Sequence, residues 1–162
     1  MKLYLMRHGE AMPESVNPDK PLTDKGKEDV QKVAAYLKKS GITLDAVWHS
    51  TKTRAKETAQ TMVEGMGLPV ICEAHDGLSP NDSVDEIVEK IRGFSCEKAD
   101  GSLLVVGHVP FLGKLAVCLL SGSKSSESSE MTEFLPAGIL CLEQKGETDW
   151  QSKWMLNPDR VE

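Results

Sequence analysis

Two arginines and two histidines in this chain stand where an apolar run gives way to polar residues. Residues 2–6 are such a run, and it breaks at once into Arg7, His8 and Gly9. Arg7 offers a planar donor fork suited to phosphate or carboxylate. Gly9 lets the backbone turn tightly or approach a ligand closely. Between them, His8 has an ordinary pKa that leaves much of it neutral and nucleophilic near pH 7. A second apolar run, 103–106, ends the same way, in Gly107 and His108. A third short run, 44–48, is followed by Ser50, Thr51 and then Arg54. Arg54 falls in the first turn of a helical pattern, where a cation opposes the macrodipole unless both share an anion. The competing account of Arg54 is a surface residue compensated by Glu57 or Asp45. Brought together, these groups would suit a dianionic phosphoryl group and a nucleophile to attack it.

The elements that must position them can be read from patterning. Residues 2–6, 44–48, 68–72 and 103–106 have the short apolar character of buried strands. Thr23 is a good N-cap and Asp24 suits a first turn, with Val30, Val33, Ala34 and Leu37 at helical spacing up to Gly41. Ala55, Ala59, Met62, Val63 and Met66 form one helix face that Gly67 can end. Ser83 with Glu86 has the spacing of a capping box, ahead of Val84, Ile87, Val88 and Ile91 and a stop at Gly93. Pro110 is placed as the first residue of a helix whose apolar spacing continues over 111–120. Residues 134–142 and 150–156 read as two further strands joined by a short connection, and serine-rich 121–130 as a loop. Strands alternating with helices predict an α/β domain whose mainly parallel central sheet is flanked by helices and ends in an antiparallel hairpin. Parallel strands would carry Arg7, His8, Arg54 and His108 to one edge of that sheet, where such folds bind ligands.

Composition narrows the partners. The net charge of −6 over 162 residues argues against nucleic acid and against a membrane surface, so an anion site here must be a focused one. No internal repeat or boundary divides the chain, so residues 1–162 read as a single domain. Cys72, Cys96, Cys118 and Cys141 are widely spaced and form no metal or redox pattern, which suits reduced structural thiols. The four histidines lack zinc-ligand spacing, so no metal is expected. No long apolar segment opens the chain, and the expected location is cytoplasmic.

Four ordered motifs, R-H-G-E at 7–10, P-L-T-x-x-G at 21–26, S-T-K-T-R-A-K-E-T-A at 50–59 and G-H at 107–108, together resemble the histidine phosphatase superfamily. That superfamily also holds the phosphoglycerate mutases, and the resemblance implies their three-layer sandwich fold. The short chain and V-V-G-H-V-P at 105–110 resemble its SixA-type branch, the phosphohistidine phosphatases. The resemblance implies His8 as the nucleophile that takes up phosphate, with Arg7, Arg54 and His108 as the phosphate pocket and no cofactor. The implied substrate is a phosphorylated protein histidine, such as that of a histidine phosphotransfer domain. A small phosphorylated metabolite is the alternative, which would require an acid to protonate an alkoxide; Asp82 is its candidate. Glu10 and Lys20 are further candidates for the loop or the substrate rim. From a different class, a scaffold that binds phosphoprotein without turnover is the remaining reading, opposed by the joint presence of Arg7, His8, Arg54 and His108.

Overall fold

Strand β1 (Lys2–Arg7) shows why its run is apolar without alternation: Leu3 and Leu5 are buried on one face of the sheet, Tyr4 and Met6 on the other. A strand covered on both faces needs apolar residues at every position. The computed structural model describes residues 1–122, 134–146 and 148–161. Six strands form one sheet in the order β3-β2-β4-β1-β5-β6. Strands β2 (Ala46–His49), β3 (Cys72–Ala74) and β4 (Ser102–Gly107) run parallel with β1, while β5 (Ile139–Lys145) is antiparallel to β1 and pairs with β6 (Asp149–Leu156) as a hairpin. Helices α1 (Asp24–Lys39) and α2 (Thr53–Met66) cover the face carrying Tyr4, Met6, Leu104 and Val106. Helices α3 (Asp85–Glu97) and α4 (Phe111–Ser121) cover the face carrying Leu3, Leu5, Leu103 and Val105. This is the three-layer, mainly parallel architecture expected. Among the described residues, no helix is long and apolar enough to cross a membrane.

Local signals account for the helix that follows the first site segment. The Thr23 hydroxyl accepts from the Gly26 amide at 2.9 Å, an N-cap of a kind worth about 1 kcal/mol. Gly26 is needed for a different reason: a methyl there would collide with the Glu10 carbonyl oxygen. The Thr-x-x-Gly spacing thus seats α1 directly on the loop that leaves β1. At the far end of α2, Gly67 takes the left-handed conformation, φ +65°, that closes a helix.

Five boundaries differ from the sequence reading. β3 pairs with β2 only from Cys72, because Leu68 and Val70 pack against the core beside α2 without joining the ladder. α3 runs through Gly93 to Glu97; Phe94 packs edge-on to Trp48 at 6.0 Å, and that contact outweighs one exposed glycine. Its start has no capping box: Val84 is the N-cap, and the Ser83 hydroxyl accepts from the Asp85 amide at 3.2 Å. Pro110 is the N-cap of α4 rather than its first residue. β5 begins at Ile139 instead of 134, since residues 134–138 are folded over Arg7. Of the serine-rich stretch, Ser121 ends α4 and Gly122 follows it in a left-handed turn, while 123–130 lies outside the described residues. Cys118 and Cys141 are buried, Cys72 is half-buried and Cys96 is exposed, and no disulfide joins them.

Candidate active site

Register places the chemistry. β1 and β4 lie side by side with Arg7 opposite Gly107, and β2 lies on the other side of β4 with His49 opposite Val106. The next residues, His8, His108 and Ser50, therefore leave three adjacent parallel strands at the same edge. Backbone bonds hold them there, from the His8 amide to Gly107 O and from the Ser50 amide to Val106 O, each 3.0 Å. The His8 and His108 rings come within 5.0 Å, centroid to centroid. α2 starts three residues beyond Ser50, and its first turn brings Arg54 over His8.

Two hydrogen bonds define the state of His8. Its Nδ1 lies 2.7 Å from the Gly9 carbonyl oxygen, which can only accept, so Nδ1 carries the proton. Arg54 Nε donates to His8 Nε2 at 3.3 Å, which requires a lone pair there. The Gly9 amide donates to Thr58 Oγ1, and that hydroxyl donates to the Arg54 carbonyl, tying the loop after β1 to α2. Burial lowers the His8 pKa to about 4, against the Gly9 bond that raises it and with help from Arg54, Arg7 and Lys20. His108 falls to about 3, mainly through burial and then through His8, Arg54, Lys52 and Lys20. Both rings are neutral over the physiological range.

An NMR titration of the free protein should therefore find His8 protonating near pH 4 and His108 lower still. Because the folded values lie below the ordinary 6.5, the unfolded chain binds more protons in this window. Stability from the two rings is complete above pH 6.5 and is lost as pH falls toward 4 and 3, by up to about 1.4 kcal/mol per pH unit for each ring. A midpoint near 6.5 for either histidine would contradict this site geometry.

The arginines are held without carboxylates. Arg7 Nη1 donates to Phe134 O at 2.8 Å, its amide to Gly138 O at 3.0 Å, and its carbonyl accepts from Ala137, which turns through φ +65°. Arg7 Nε is buried with no protein partner among the described residues. Neither Arg7 nor Arg54 forms an ion pair there. Glu57 instead accepts from the Leu22 amide, and Asp45 from the Ser102 amide, so the compensation considered for Arg54 is not made. Burial lowers the pKa of both guanidiniums. Two partly desolvated cations beside neutral imidazoles favour an incoming anion.

The remaining candidates lie further out. Lys20, at φ +50°, lines a cavity of about 430 Å³ with Thr51, Lys52 and Arg54. Its charge acts on both imidazoles. Glu10 accepts from the Thr23 hydroxyl at 3.1 Å and its carbonyl from the Thr23 amide, so it braces the start of α1. Asp82 Oδ2 accepts from the Ser79 amide at 2.9 Å, on the wall of a second cavity of about 580 Å³ that shares Thr51 with the first. No hydrogen bond or ion pair among the described residues joins Glu10 or Asp82 to either histidine. Ser50 stands in the sequence among the candidate chemistry that follows β2, without a role of its own, and Lys52 and Thr58 stand there only within the 50–59 motif. Their signal was positional: Thr58 sits one helical turn after Arg54, and Ser50 directly follows a buried strand. Among the described residues, no group of three or more histidine, cysteine, aspartate or glutamate side chains could hold a metal.

Comparison with known proteins gives the family and the fold. Residues 3–78 match the model of the histidine phosphatase superfamily (branch 1). Phosphohistidine phosphatase SixA of Escherichia coli (strain K12) is 25% identical over 159 residues, which cover 98% of this chain and 94% of that protein. An uncharacterized protein of Picosynechococcus is 30% identical over 145 residues, covering 88% of this chain and 84% of its own. A solved structure of the protein histidine phosphatase SixA complexed with tungstate shares the fold, with a TM-score of 0.86 at 23% identity over 98% of each chain.

Proposed function

The chain belongs to the histidine phosphatase superfamily, in its SixA-type branch, and we propose that it is a phosphohistidine phosphatase that dephosphorylates a protein histidine. The observation that carries this reading is the state of His8, whose Nδ1–H is anchored on Gly9 while the Nε2 lone pair lies beside Arg54. Nε2 attacks phosphorus, and the new P–N bond forms as the bond to the substrate imidazole breaks. The leaving nitrogen takes a proton from solvent. Water then attacks the phosphorylated His8, its oxygen bonding to phosphorus as the P–Nε2 bond breaks, its surplus proton passing to solvent. Free phosphate leaves and His8 returns to its neutral state. Arg7, Arg54 and His108 hold the equatorial oxygens through both transfers. Tungstate, the ligand in the SixA structure, is a tetrahedral oxyanion, which supports a phosphate pocket of this kind.

The leaving group favours phosphohistidine over an ester. An imidazole departs with less help from a general acid than an alkoxide needs. Asp82, the one acid considered for that task, has an oxygen committed to Ser79. A protein substrate of this class is a histidine phosphotransfer domain, in the cytoplasm.

Steady-state assays with a phosphohistidine protein and an alkyl phosphate, on wild type and Asp82→Asn, test the assignment. The phosphohistidine substrate should have the higher kcat/KM, and Asp82→Asn should change it by less than about threefold, far below the 10²- to 10⁴-fold of a lost general acid. A preferred alkyl ester whose turnover falls by about 10²-fold or more in Asp82→Asn would instead establish a metabolite phosphomonoesterase.

A further inference from the structure

We propose that Ser50 is a positioning residue that fixes His108 as its Nδ1–H tautomer, so that His108 offers the phosphoryl group a neutral hydrogen-bond donor. The inference rests on the phosphoryl-transfer reading of the site and specifies which atom of His108 serves it.

Ser50 is fully buried and His108 is 1% exposed, so water cannot satisfy their polar atoms freely. His108 Nε2 and Ser50 Oγ are 2.8 Å apart. That distance alone leaves open which of them donates. The Lys52 amide resolves it by donating to the same hydroxyl oxygen at 3.1 Å. With an N–H already directed at Oγ, the serine's own proton needs an acceptor, and His108 Nε2 is the one in reach among the described residues. A proton on Nε2 would turn two N–H groups onto Oγ and leave the hydroxyl proton without that acceptor. Nδ1 has no protein partner among the described residues. Carrying the proton there, it can donate to a phosphoryl oxygen; bare, its lone pair would repel one.

Ser50 itself is tightly placed. Its amide donates to Val106 O on β4, and its carbonyl accepts from His49 Nδ1 at 2.8 Å. His49, buried and remote from the chemistry, thereby helps aim the hydroxyl. His8 and His108 share a tautomer but are gripped by different atoms. The grip on Nδ1 leaves His8 a nucleophilic Nε2, whereas the grip on Nε2 leaves His108 a donating Nδ1.

Nitrogen NMR of the ¹⁵N-labelled full chain near pH 7, with and without inorganic phosphate, reads the tautomer directly. A pyrrole-type Nδ1 and an imine-type Nε2 on His108 in both samples are expected. Pyrrole-type Nε2, or protonation of both nitrogens, would overturn the proposal. In Ser50→Ala the two nitrogens should shift toward the average of a tautomer mixture, and kcat should fall by about 10- to 10²-fold, less than for loss of a whole donor. KM should move little, and the isosteric Ser50→Cys should recover part of kcat. Unchanged shifts and kcat in a folded Ser50→Ala would also overturn it. The wild-type spectrum does not depend on turnover. Absent phosphohistidine hydrolysis with the expected shifts would refute the functional reading alone, and hydrolysis with a proton on Nε2 would refute the role of Ser50 alone.

Discussion

His8→Ala is expected to lower phosphohistidine hydrolysis by at least about 10⁴-fold, the scale on which loss of a covalent nucleophile is felt. The ring supplies the only bond that phosphorus makes to the protein, and no second neutral imidazole is free to replace it. His108 is gripped at Nε2 by Ser50, and His49 is bound through Nδ1 to the Ser50 carbonyl. Phosphate binding should survive, since Arg7, Arg54 and His108 remain. Calorimetric titration with inorganic phosphate beside single-turnover kinetics separates the two effects. Hydrolysis within about tenfold of wild type would mean that water attacks the substrate directly, and His8 would then be a pocket residue rather than the nucleophile.

Arg54→Ala should cost about 10²- to 10³-fold in kcat/KM, the loss typical of one donor to a charged transition state. Two functions are removed together, the charge over the equatorial oxygens and the Nε–H that faces the His8 lone pair. Lysine should recover little. Its single ammonium cannot reproduce a planar fork whose Nε reaches His8 while the rest of the guanidinium meets phosphate. The backbone link from Thr58 to the Arg54 carbonyl survives the change, so the loss should come without a large fall in stability. Removing this cation should also raise the His8 pKa, because Arg54 is among the charges that hold it down. Kinetics and a His8 titration on the same variant check both consequences. An Arg54→Lys protein within about threefold of wild type would contradict the assigned geometry.

Residues that obey short-range rules were the readable ones. Uninterrupted apolar residues in β1 and β4 demand burial on both faces, which puts both strands in the middle of the sheet and their ends at one edge. Thr23 and Gly67 mark helix ends by side-chain and backbone chemistry that operates within a few residues. Hence the edge carrying Arg7, His8, Arg54 and His108 could be anticipated from order alone. Where distant contacts decide, local pattern failed. Gly93 reads as a stop until Phe94 meets Trp48 on the other side of the interface between α3 and the sheet. Residues 134–138 look like a strand, yet they bend over Arg7, and their carbonyls at Phe134 and Gly138 hold that arginine in place. Nothing near position 134 announces a partner 127 residues earlier. The roles of Ser50 and Thr58 were hidden for the same reason: each small hydroxyl matters only because a strand or helix end elsewhere places an imidazole or an amide against it.

The most direct test mixes wild-type protein with a stoichiometric ³²P-labelled phosphohistidine protein, quenches in alkali within milliseconds, and maps the label by mass spectrometry. Label should appear transiently on His8, acid-labile and alkali-stable as a P–N bond requires, and decay as inorganic phosphate forms. Release of phosphate at full rate with no label on His8 at any time would contradict the mechanism.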